Sequence, residues 1–220
     1  MCGRFTVIKS KEELEKRFGA KVSKNQYQKR YNAAPSQELP VITNSAPKLV
    51  QFYKWGLIPF WAKDKNIGYR LINAKAETIT QKPSFRNAIK ERRCLVCADG
   101  YYEWKNTKEG KIPYRISLKG DELFAFAGIW EVWSSSEGQR INSFSIITVE
   151  SNEQVKGIHQ RMPVILTPEE ENIWIGNTPL FKALDLLRPY TFDELSIKQV
   201  SRLVNSVKND SEEILEVDET

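Results

Sequence analysis

The chain has 220 residues, 40% hydrophobic and 28% charged, a balance that suits one soluble domain with a sizeable core and argues against a disordered or fibrous protein. No apolar run reaches the roughly 20 residues needed to cross a bilayer, and the first residues lack the apolar stretch of a signal peptide, so a cytoplasmic protein is expected. Lys and Arg number 33 against 28 Asp and Glu, and the resulting +5 permits a polyanionic partner without demanding one.

In chain order, the opening MCGRF places a cysteine directly after the initiator, and SKEE follows with Ser10 as N-cap and Glu13 at the third helical position. Leu14 and Phe18 lie four apart on that helix, which Gly19 ends. LPVIT and KLVQFYKWGLI read as strands, rich in β-branched and aromatic residues. SFRNAIKER reads as a short helix with a concentration of basic charge. RCLVCAD, YYEWK, PYRISL, LFAFAGIWEVW, SFSIITV and MPVILT are further strands, with EGK and SSSEGQ as hairpin connections. Thr167-Pro168-Glu169-Glu170 opens another helix, with Pro at its first position and a stop near Gly176. LFKALDLLRPY is a third short helix broken at Pro189, and ELSIKQVSRLVN is read as a strand. So many strands with helices at the margins give an α+β fold, a β-rich single domain whose core is a curled, barrel-like antiparallel sheet with peripheral helices. The domain is expected to span 2–210, with 211–220 as an acidic C-terminal tail.

Cys2, Cys94 and Cys97 are an odd set in a chain without a secretion signal, which argues against a disulfide framework. Cys94 and Cys97 have C-x-x-C spacing, but no second pair exists and His159 is the only histidine. RRCLVCADG also reads as a buried strand in which both cysteines are small apolar residues, so no metal is expected.

Four segments carry polar residues where a strand or turn should be plain: MCGR, LINAKAET, DGYYEW and GIHQRMPVIL. Each offers one chemically capable group, respectively Cys2, Asn73, Glu103 and His159. Singly they have ordinary explanations, since Asn tolerates turns and a lone Glu or His is usually a hydrogen-bonded structural residue.

As a set, MCGRF, YNAAPSQ, WGLIPFWA, INAKAET, KPSFR, RRCLVCADGYYEW, AGIWE and IHQRMPVIL resemble the SRAP family (SOS response-associated peptidases, or abasic-site processing proteins), in the family's order from residue 2 to about 166. The resemblance implies a β-rich α+β fold with a positively charged DNA groove. It also implies an enzyme that senses abasic sites in single-stranded DNA and forms a covalent DNA–protein crosslink there in the DNA damage response. AP-lyase and autopeptidase activities come with that expectation. The implied partners are single-stranded DNA containing abasic sites, including junctions with duplex, and the replication machinery. A monomer, with no cofactor and no membrane, is expected.

The chemistry of Cys2 agrees with this. An abasic deoxyribose opens to an aldehyde. Removal of Met1 frees an α-amine whose ordinary pKa of about 7.7–8.0 leaves part of it neutral, unlike a lysine amine at about 10.4. That amine attacks the aldehyde to form an imine, and the neighbouring thiol closes a five-membered thiazolidine ring. Around it, Glu103 resembles the family's acid/base, His159 is a second proton carrier acting on the sugar oxygen or in crosslink reversal, and Asn73 orients the terminus or the sugar. Arg4, Arg70 and Arg161, with Arg86 beside them, are candidates for phosphates. Trp61 and Trp104 are candidates for stacking on bases. Lys75 stands where the family has arginine in an N-A-R pattern, keeping the charge without the planar fork.

Two other readings use some of the same residues. In one, the Cys2 thiolate attacks an amide, as in an N-terminal-nucleophile hydrolase or cysteine peptidase. That reading leaves the Arg and Trp residues of the motifs unexplained. In the other, Cys2 is structural and the protein is a non-covalent DNA reader.

Overall fold

The structure is a computed structural model, and it describes residues 2–23, 27–191 and 194–217. Met1, whose removal the covalent chemistry requires, lies outside the described residues, as do the last three residues of the expected acidic tail.

The strands are β1 (Phe5–Val7), β2 (Lys21–Val22), β3 (Arg30–Ala33), β4 (Glu38–Thr43), β5 (Leu49–Trp55), β6 (Asn73–Lys75), β7 (Arg93–Ala98), β8 (Gly100–Thr107), β9 (Gly110–Leu118), β10 (Phe124–Ser134), β11 (Arg140–Glu150), β12 (Arg161–Pro163), β13 (Ile165–Leu166) and β14 (Leu195–Gln199). The α-helices are α1 (Lys11–Phe18), α2 (Ala88–Glu91), α3 (Glu153–Lys156), α4 (Pro168–Ile175) and α5 (Leu180–Leu184).

Five strands close a barrel. β11 pairs antiparallel with β10, β10 with β7, β7 with β4 and β4 with β5. A parallel contact of β5 with β11, through Lys54–Ser143 and Trp55–Phe144, completes the circle. Closure leaves no open edge between these strands. A second sheet in the order β14-β9-β8-β1-β3 carries the N-terminal strand between β8 and β3.

Phe5 joins the two parts. It is fully buried, with its ring 5.2 Å from Trp55 and 5.9 Å from Phe126, while Trp55 stacks on Phe144 at 6.3 Å. Burying one such side chain contributes about 1.5–3 kcal/mol, which anchors the backbone three residues beyond Cys2.

The helix signals act locally. Ser10 and Glu13 form a capping box on α1, and Gly19 ends it in the left-handed region at φ 58°. Thr167 and Glu170 form a second capping box on α4, with Pro168 in its first turn. SFRNAIKER shrinks to a single turn, since only Ala88–Glu91 is helical. ELSIKQVSRLVN divides in two: a strand to Gln199, then a 3-10 turn at Arg202–Asn205. The acidic segment after residue 210 continues to pack against the domain, because Ile214 is fully buried with Tyr102, Val200 and Val204. Cys94 and Cys97 are buried in β7 as free thiols, and burial pushes both well above the ordinary thiol range.

Candidate active site

Four elements deliver the chemically capable groups to one place. β1 carries Cys2 on its N-terminal extension, β6 begins at Asn73, β8 holds Glu103, and the turn between α3 and β12 carries His159. β6 lies parallel to β11, with Asn73 opposite Ile146, while β12 runs antiparallel to β11, with Arg161 opposite Glu150. One long barrel strand therefore seats both the Asn73 and the His159 segments.

The side-chain amide of Asn73 donates to the main-chain carbonyl of Cys2 at 2.7 Å. Its own amide oxygen is buried with no hydrogen-bond partner among the described residues. Cys2 is fully buried, and its sulfur lies 3.7 Å from the Arg4 carbonyl oxygen. Burial, and then the Glu103 charge, push the Cys2 thiol far above its ordinary range, so the sulfur rests as a neutral thiol. Glu103 is 3% exposed, and its carboxylate stands 3.9 Å from His159 Nδ1. Burial pushes the Glu103 carboxyl up, and the charge of His159 pulls it the other way. The histidine is fixed by main chain: the Arg161 N–H donates to Nδ1 at 3.0 Å, and the Ser151 hydroxyl donates to the His159 carbonyl at 2.5 Å.

Among the expected DNA contacts, Trp61 and Arg70 sit on the loop between β5 and β6, both exposed, and Lys75 is exposed two residues beyond Asn73. The loop is held rigidly at its base. Gly56, at φ 118°, passes so close to Gly68 that an added Cβ would lie 2.6 Å from the Gly68 carbonyl oxygen. Ile58 N–H donates to the Ser143 hydroxyl at 2.8 Å, and the Trp133 indole donates to the Ala62 carbonyl at 2.7 Å. This anchored loop also presents Phe60 and Tyr69, 54% and 61% exposed, which the sequence reading did not single out. Aromatic residues among the lysines and arginine from Gly56 to Arg70 were the available signal.

Three other expected contacts are already engaged within the chain. The Arg4 guanidinium donates to Asn32 Oδ1 and the Val204 carbonyl, each at 2.8 Å. The Trp104 indole donates to Asn205 at 2.8 Å and packs beside Tyr102 and Val204. Arg161 forks onto Glu77 at 2.9 and 3.0 Å. Arg86 is exposed just before α2.

No helix among the described residues is long and apolar enough to cross a membrane.

Residues 1–207 match the family described as SOS response associated peptidase (SRAP). The chain is 46% identical over 224 residues to the abasic site processing protein YoaM of Bacillus subtilis, covering 99% of each. It is 31% identical to the abasic site processing protein HMCES of Gallus gallus, over 86% of this chain and 66% of that one. A crystal structure of a protein from Bacteroides thetaiotaomicron superposes with a TM-score of 0.90 at 30% identity, covering 98% of this chain and 99% of that one. The chain belongs to the SRAP family.

Proposed function

We propose that this protein processes abasic sites in single-stranded DNA by capturing the sugar aldehyde on Cys2, once Met1 has been removed, as a thiazolidine. The observation that carries the reading is the convergence of Asn73 on the Cys2 backbone at 2.7 Å with the Glu103–His159 pair at 3.9 Å. Relatives named as abasic site processing proteins support the substrate.

In the proposed order, since burial disfavours the Cys2 thiolate, the amine attacks first. Its nitrogen adds to C1′ of the open sugar, and the resulting carbinolamine loses water as Glu103, raised by burial, gives a proton to the departing oxygen. The sulfur then adds to the imine carbon while its proton passes to nitrogen through Glu103 or His159. The balance is aldehyde plus cysteine giving thiazolidine plus water. Before the ring closes, the imine is open to β-elimination of the 3′ phosphate, a lyase reaction that ring closure suppresses.

Lys75, Arg70 and the exposed Trp61 and Tyr69 lie along the segment leading to and past Asn73 and would receive the flanking strand. The test is intact mass spectrometry before and after addition of an abasic oligonucleotide. The expected result is a chain lacking Met1 that gains the oligonucleotide mass minus one water, in a product that survives denaturation. A Met1-free chain that gains no mass would overturn the reading.

A further inference from the structure

Glu77 lies outside the four groups that carry the proposed chemistry, yet its carboxylate ties two of their segments together. Glu77 follows β6, the strand of Asn73, and Arg161 begins β12, just after His159. Both Glu77 oxygens are used: Oε1 lies 2.9 Å from Arg161 Nη1, and Oε2 lies 3.0 Å from Nη2. The same Nη2 donates to the Thr148 carbonyl of β11 at 2.5 Å, so the guanidinium is locked against the strand on which both segments rest. The Arg161 side chain is 15% exposed and that of Glu77 48%, so the pair is bidentate and buried on the arginine side only.

The Arg161 backbone is what His159 sees. The Arg161 N–H donates to Nδ1 at 3.0 Å, and the Arg161 carbonyl oxygen lies 3.0 Å from the same nitrogen. A ring whose Nδ1 accepts from main chain carries its neutral-state proton on Nε2. The two contacts are alternatives set by the tautomer, Nδ1 either accepting from the Arg161 N–H or donating to the Arg161 carbonyl, and the Glu103 carboxylate stands 3.9 Å from the same nitrogen. The orientation of the ring toward Glu103 therefore depends on where the Arg161 main chain is held.

We propose that Glu77 is a positioning residue: by gripping the Arg161 guanidinium with both oxygens, it fixes the Arg161 main chain and through it the tautomer and aim of His159 toward Glu103. This rests on the reading of Glu103 and His159 as proton carriers. It gives Arg161 a positioning task within the chain, through its two terminal nitrogens on Glu77 and Thr148.

The experiment is single-turnover adduct formation with a saturating abasic oligonucleotide, followed across pH 5.5–8.5 for wild type, Glu77→Gln and Glu77→Asp. Binding of an undamaged strand and thermal melting are measured alongside. Glu77→Gln keeps the size but replaces one charged acceptor with a donor, and it is expected to slow the saturated rate about tenfold, a fraction of what a general acid–base group supplies. Its pH–rate profile should differ in shape from that of wild type, while undamaged-strand binding is no weaker. Glu77→Asp restores the carboxylate and is expected to recover most of the rate. A wild-type rate and pH profile in Glu77→Gln would overturn the proposal. So would a loss that rising DNA concentration repairs, because that makes Glu77 a binding residue. If wild type forms no adduct, the parent reading fails with it. If wild type reacts and Glu77→Gln matches it, only the role of Glu77 falls.

Discussion

Asn73 gives its amide hydrogen to the carbonyl of Cys2 at 2.7 Å and keeps its amide oxygen buried and unpartnered among the described residues. In the proposed reaction the donor half holds the backbone of the nucleophile, and the acceptor half would take a hydrogen that arrives with the substrate, on the freed amine or the sugar hydroxyl. Asn73→Ala removes both halves. It is expected to slow adduct formation at saturating DNA by about tenfold to hundredfold, the range set by leaving a buried polar group unmatched. Asn73→Asp turns the donor into a second acceptor facing the carbonyl, so it should react more slowly than the alanine variant. Equal rates for wild type and both variants in a single-turnover assay would remove Asn73 from the site.

Cys2→Ser separates the two functional groups of residue 2. It keeps a terminal amine once Met1 is gone, so the imine still forms and can be trapped with borohydride. The hydroxyl is a much poorer partner for ring closure, and the product stable to denaturation should fall sharply. Strand cleavage by β-elimination should rise, because the imine is no longer removed by the thiol. Gel electrophoresis of an end-labelled abasic strand reads both outcomes at once. A serine variant with wild-type levels of stable adduct would rule out the thiazolidine.

Glu103 makes a linked prediction about stability. Its folded-state carboxyl is raised by burial, while an unfolded glutamate titrates near 4.3. Between those two values the folded chain keeps a proton that the unfolded chain has released, so this group's contribution falls as pH rises through the folded value and is fully present below about 4.3. Once pH has risen past the folded value, the wild type bears the cost of ionising a 3% exposed carboxyl. Glu103→Gln should therefore melt higher than wild type at pH 8, by about 2–4 °C for each kcal/mol gained, with the gap narrowing toward pH 4. The same substitution should cost about hundredfold or more in adduct rate. A glutamine variant that melts lower at pH 8 than at pH 5, relative to wild type, contradicts this account.

Much of the molecule was legible because its signals are local. The capping box at Ser10 and the helix start at Thr167-Pro168 need only four residues each, and both helices begin where read. The long strands from β7 to β11 announced themselves by β-branched and aromatic composition. What was not legible depends on pairs distant in sequence. The parallel contact of Trp55 with Phe144 closes the barrel, and nothing in either strand's composition encodes that register. β1, β2, β3 and β6 are two to four residues long, too short for alternation to be seen. The site was read through motifs, which identify side chains but not what already occupies them. The motif marks Arg4 as a candidate phosphate ligand, but only the fold shows that its Nη1 also meets Asn32 and Val204, 28 and 200 residues away. Glu77 and Arg161 are 84 residues apart, so the bridge between them is visible only in three dimensions.

Lys75 offers a test of the DNA path that leaves the reacting groups alone. Its side chain is exposed two residues beyond Asn73, and Glu77, the nearest carboxylate in sequence, is already committed to Arg161. An ammonium there meets a phosphate as a point charge, whereas a guanidinium would meet it with two parallel donors. Lys75→Arg keeps the charge, so the dependence of binding on salt should stay the same while affinity for a single strand rises about threefold, a modest gain for improved geometry. Lys75→Ala removes one counterion-releasing contact and should lower the slope of log K against log salt by about 0.7. Fluorescence anisotropy with an undamaged strand at several salt concentrations separates the two effects. If Lys75→Ala leaves the slope unchanged, the strand does not pass Lys75, and the path must run past the exposed Trp61 and Tyr69 without it.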